Sequence, residues 1–146
     1  MSGRRLILWF GAFVAVFAVA LVYFQFFAFY DRDQESDELV FGGTVIPVSN
    51  IDMIDAPTSP LKLRACFEAD SSVFASMPIA EKPVPLTPPP WFGCFDAERI
   101  TRDLEDGTAD AKLVAGENPE GFDVMAAVYP DGSVYLWRQL GEEFAE

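Results

Sequence analysis

From Leu6 to Tyr30, twenty-five consecutive positions carry no charged side chain, a run too long and too uniform for a helix with one solvent face. At about 1.5 Å of rise per residue it reaches roughly 37 Å, enough to cross a hydrocarbon core of about 30 Å with some tilt. The pattern then changes. Residues 31–43 read DRDQESDELVFGG, a polar run ending in two glycines, expected to be an acidic linker. Short apolar stretches follow. Thr44–Val48 and Leu61–Phe67 are predicted strands, the second with Leu61, Leu63, Ala65 and Phe67 facing inward and Lys62 and Arg64 facing water. Six prolines between Met77 and Trp91 exclude an interior strand or helix and predict an extended connection laid over the domain surface.

Asp96–Asp106 is the clearest soluble helix. Asp96 is its N-cap, Ile100 and Leu104 share a face, Gly107 is the stop, and Phe95 is placed to staple onto Ile100. Residues 111–115, 122–129 and 133–140 are predicted strands, the last two joined by a two-residue Asp131-Gly132 turn and therefore antiparallel. Val124, Ala126 and Val128 alternate with Met125, Ala127 and Tyr129, so both faces of that strand should be covered. The expected architecture is α+β: one N-terminal transmembrane helix (6–30), then a small antiparallel sheet with one covering helix and a proline-rich loop, forming one domain over 44–146.

Charge sets the orientation. Arg4 and Arg5 precede the apolar run, while the other eight basic and all twenty-three acidic residues lie after position 30, a net of −15 there. The positive-inside rule places residues 1–5 in the cytoplasm and 31–146 in the periplasm or exterior. A field of that sign excludes nucleic acid as a partner and favours a basic periplasmic protein or cations. Ala18-Val19-Ala20 imitates a signal-peptide cleavage site, but cleavage there would leave LVYFQFFAFY as an exposed apolar start. Retention as an anchor is the reading that follows.

Within the span, Gly11, Ala15 and Ala18 fall on one face where another helix could approach closely. Gln25 lies near the outer end, within reach of headgroups or water. Tyr23, Phe24, Phe26, Phe27, Phe29 and Tyr30 crowd that end, more aromatic surface than an interfacial belt needs, and the surplus points to a protein neighbour.

Candidate chemistry is sparse. There is no histidine, which removes the commonest general base and transition-metal ligand. Asp31, Asp33, Glu35 and Asp37 alternate like early calcium ligands, but Ser36 and Gly42 stand where that loop needs glycine and a bidentate glutamate. Carboxylate pairs such as Glu105/Asp106 read as solvated acids. No enzyme activity, cofactor or metal is expected. Cys66 and Cys94, in an extracytoplasmic domain of this size, are expected to form a structural disulfide. Trp91, Phe92 and Trp137, with Arg138 nearby, are candidate interface aromatics, the competing reading being core packing beside that disulfide.

The segments Arg64-Ala65-Cys66-Phe67, Trp91-Phe92-Gly93-Cys94-Phe95-Asp96-Ala97 and Asp131-Gly132-Ser133-Val134-Tyr135-Leu136-Trp137-Arg138-Gln139, behind a span ending in aromatics, resemble a small alphaproteobacterial family of unknown function. The resemblance implies a single-pass bacterial inner-membrane protein with a periplasmic domain, and no activity. The functional expectation is a non-enzymatic accessory or assembly component of a larger inner-membrane complex. The alternative is a periplasmic sensor or ligand-binding domain with a pocket between sheet and proline loop, disfavoured because only five residues precede the span.

Overall fold

The computed structural model describes residues 2–142. Helix α1 (Gly3–Phe26) has no buried residue and is long and apolar enough to cross a membrane, with a mean hydropathy of 2.5 over its most apolar window. It ends four residues earlier than the apolar run does. Phe27 and Ala28 both donate their amides to the Tyr23 carbonyl, and Phe29 takes φ 67°, so the chain leaves the helix axis.

The segment expected as a linker is folded. β1 (Asp31–Asp33) pairs with β4 (Ser49–Asp55), and β2 (Glu38–Phe41) pairs with β3 (Thr44–Pro47) in a separate hairpin. The linker assignment for 31–43 is therefore corrected. Asp33 accepts from the Glu35 and Ser36 amides and the Ser36 hydroxyl, fixing a turn where a solvated acidic run was expected. Gly42 and Gly43 stand at φ 54° and 85°. Positive φ at both positions of a two-residue loop is the geometry that matches the strand twist, and only glycine takes it without strain.

β5 (Arg64–Glu68), β6 (Asp110–Ala115), β7 (Phe122–Val128) and β8 (Ser133–Leu140) complete a six-stranded antiparallel sheet in the order β1-β4-β5-β8-β7-β6. The β7–β8 loop corrects the expected two-residue turn. Gly132 donates to the Tyr129 carbonyl and Tyr129 to that of Ser133, leaving a three-residue Pro130-Asp131-Gly132 loop with glycine in the left-handed region.

Each face of the sheet has its own core. On one, Leu39, Phe41 and Ile46 of the hairpin and Phe74 of a short 3-10 turn cover Ala65, Phe67, Val124 and Leu136. On the other, Phe92, Phe95 and Ile100 cover Ile54, Cys66, Met125 and Trp137. The second face is roofed by α2 (Ala97–Asp106), with Asp96 accepting from the Arg99 amide as N-cap and Gly107 at φ 84° closing it. The expected α+β class and covering helix are found, and residues 77–91 form no strand or helix.

Candidate functional site

The aromatic residues at the end of α1 meet the domain through Trp91. Its indole stacks on Phe27, with ring centroids 6.2 Å apart, and meets Tyr30 edge-on at 5.5 Å. Its Nε1–H donates to the carbonyl of Phe26, the last helical residue. Helix C-termini leave carbonyls without intrahelical partners, and here a side chain sixty-five residues away satisfies one. Arg32 lies 5.7 Å from the Trp91 ring and forms a two-pronged bond to Asp52, at 2.9 and 2.8 Å. Lys62 Nζ sits 5.0 Å from the Tyr30 ring centre. Part of the surplus aromatic surface at the C-terminal end of α1 is thus met by the chain's own domain.

Trp91 opens the descent into α2, and the residues before it form a strap held by two polar side chains of the sheet. Arg64 was expected to face water but is 5% exposed. Its Nε donates to the Leu86 carbonyl at 2.8 Å and its Nη1 to those of Leu61 and Leu63 at 2.5 and 2.7 Å. The alternation rule fails because this face is roofed by proline-rich backbone whose carbonyls need donors that prolines cannot supply. Burial pushes the Arg64 guanidinium down to about 10, so it remains a cation at neutral pH. Gln139 does the same work on β8: Nε2 donates to the Lys82 carbonyl, while Oε1 accepts from the Val84 amide and Trp137 Nε1. At the strap's far end Cys94 is joined to Cys66 in a disulfide.

These placements divide the candidate interface aromatics. Phe92 and Trp137 are 1% and 0% exposed and belong to the core under α2; an interface role for them is corrected. Trp91 is half-buried and holds the junction. Gly11, Ala15 and Ala18 all lie on α1, exposed. Arg32, Asp52, Arg64 and Gln139 were not singled out from sequence. For Arg64 and Gln139 the available signal was a charge or amide inside a largely apolar strand of a chain with a proline run.

The polar groups elsewhere serve the fold. Hydrogen bonds from side-chain and backbone donors at the residues that follow hold the carboxyls of Asp33, Asp70, Asp106 and Asp131 below the usual carboxylate range. Asp106, of the adjacent pair Glu105/Asp106 read as solvated acids, thereby accepts from both Thr108 donors. Tyr129 donates to Asp103 at 2.5 Å, and burial, aided by that bond, pushes its hydroxyl up. Arg138, its Nε without a hydrogen-bond partner among the described residues, lies 4.0 Å from Asp55. Between the strap and β6–β7, a groove of about 430 Å³ has Ala80, Leu113 and Met125 in its walls and Glu81, Glu117 and Asp123 among its polar groups.

A family model, described as Family of unknown function (DUF6446), matches residues 39–145. The match opens at Leu39, a buried residue of the β2–β3 hairpin. No curated protein and no solved structure matches the chain.

Proposed function

The chain belongs to this family of unknown function, and from that premise we propose a non-enzymatic, membrane-anchored protein that acts as an accessory or assembly component of a larger inner-membrane complex. In this reading α1 spans the inner membrane with its N-terminus in the cytoplasm, and residues 31–146 face the periplasm. The observation that carries it is the junction. A domain fastened to the last carbonyl of its helix through Trp91 is held at a set height and angle, as a subunit is that must meet neighbours both in the bilayer and outside it. The side chains of α1 stay exposed along its length, leaving the face with Gly11, Ala15 and Ala18 for another helix. The disulfide suits an oxidising compartment.

The acidic groove beside β6 favours a second reading, a periplasmic ligand-binding or sensor domain. Mild-detergent affinity purification of the tagged full-length protein with mass spectrometry separates the two, using a control with Gly11, Ala15 and Ala18 changed to Leu. Recovery of one membrane complex, lost in the control, is the result expected of an accessory subunit. Recovery of the protein alone favours the ligand-binding domain.

A further inference from the structure

We propose that the folded domain is itself seated on the outer surface of the bilayer, through a face made by Trp91, Tyr30 and Lys62, whose partner is the lipid headgroup layer. The inference rests on reading α1 as a membrane span.

Geometry supplies the first step. If the span places its terminal aromatics at the interface, the indole bonded to the Phe26 carbonyl and stacked on Phe27 lies at the same depth. Trp91 and Tyr30 are the residue types that favour that layer, an apolar ring carrying one polar atom. Phe27 and Phe29 beside them expose more than half of their surface, so the apolar surface of the helix continues onto the domain without a break.

Charge supplies the second step. In a domain with a net of −15, Lys62 holds its Nζ over the Tyr30 ring, a cation beside the aromatics at the depth of the lipid phosphates. Near the span, Asp52 and Asp55 of β4 are faced by cations, Arg32 and Arg138. Glu68, Asp70 and Asp131 gather at the opposite end, where β5 pairs Glu68 with Ser133 of β8. The strands therefore place the aromatics and Lys62 beside the span and this acidic cluster far from it. Seating on the bilayer presents that cluster to the periplasm.

The test is electron paramagnetic resonance depth measurement on the full-length protein in phosphatidylcholine vesicles. Single nitroxides are placed at Thr58→Cys, beside Lys62, at Ser71→Cys, at the far end, and at Val16→Cys, within the span. The seated domain gives Thr58 a ratio of oxygen to water-soluble nickel accessibility between those of Val16 and Ser71. A Thr58 value equal to that of Ser71, with Val16 in hydrocarbon, overturns the seating and leaves the anchor intact. A water-exposed Val16 overturns both.

Discussion

Arg64 shows how one buried cation organises a segment that has few donors of its own. The strap between Met77 and Trp91 holds six prolines, and Arg64 answers the carbonyl of Leu86 together with those of Leu61 and Leu63. Arg64→Ala would leave these acceptors facing an unfilled space, and charged hydrogen bonds are each worth roughly 1.5–3 kcal/mol. The expected loss is about 3 kcal/mol by urea unfolding, and Arg64→Lys should recover little of it, because an ammonium cannot reproduce the planar fork. Titration effects lie at the same scale. Asp33, Asp70, Asp106 and Asp131 have carboxyls lowered by hydrogen bonds that the unfolded chain lacks. The stabilisation is therefore complete above the unfolded value of about 3.9 and is lost as pH falls through the lower native values. A thermal midpoint flat from pH 7 to about 5 and falling below about 4 is expected. Tyr129 acts oppositely: its raised native value makes stability fall as pH climbs above about 10.

Among the elements, those with strong local signals were readable and those defined by distant partners were not. Asp96, Ile100 and Gly107 specify α2 within twelve residues, and the helix appears at Ala97–Asp106 with that cap and that stop. Asp96→Ala should cost about 1 kcal/mol, measured by thermal melting. β8 and β7 were likewise legible because alternation and the glycine turn lie close together. By contrast, β1 is three residues long and charged at every position, and it exists because β4 pairs with it and Arg32 reaches Asp52. No local pattern encodes that. β5 misled in a different way: Leu63, Ala65 and Phe67 were inward as expected, but Arg64 and Cys66 are buried as well, since the strap covers the second face. Of the candidate site, the cysteine pair and the proline strap were visible, while the contact of Trp91 with Phe26 spans sixty-five residues and was not. The disulfide closes the strap onto β5. By loop-closure entropy across its separation of 28, Cys66→Ser with Cys94→Ser should cost about 3.6 kcal/mol, read as a lower urea midpoint in the double variant than in the oxidised protein.

At the scale of the whole molecule, the question is whether helix and domain move as one body. Three kinds of contact cross the junction: the stack of Phe27 on Trp91, the indole hydrogen bond to Phe26, and the Tyr30 ring between Trp91 and Lys62. Trp91 takes part in all of them directly or through Tyr30, whereas the buried residues of the two cores are others, with Trp91 and Tyr30 only packed against the edge of one. Trp91→Ala should therefore separate coupling from folding. Removing a half-buried indole lowers domain stability by only about 1–2 kcal/mol, because Phe92, Phe95 and Trp137 keep their packing. The loss of coupling is larger in effect, since the backbone at Ala28 and Phe29 then becomes a hinge braced against the helix by the Phe24–Phe29 stack but no longer tied to the domain through the indole. Nitroxides at Val19 and Ser71, read by pulsed dipolar spectroscopy in lipid, should give one narrow distance distribution in the native protein and a broad one in Trp91→Ala, with the urea midpoint close to native. Trp91→Phe keeps the ring stack without the N–H donor and should fall between them. An unbroadened distribution in Trp91→Ala would mean that β1 and the Arg32–Asp52 pair hold the angle without the indole. For the proposed role in a membrane assembly, that difference decides whether a partner meets the sheet at a defined position or has to capture a swinging domain.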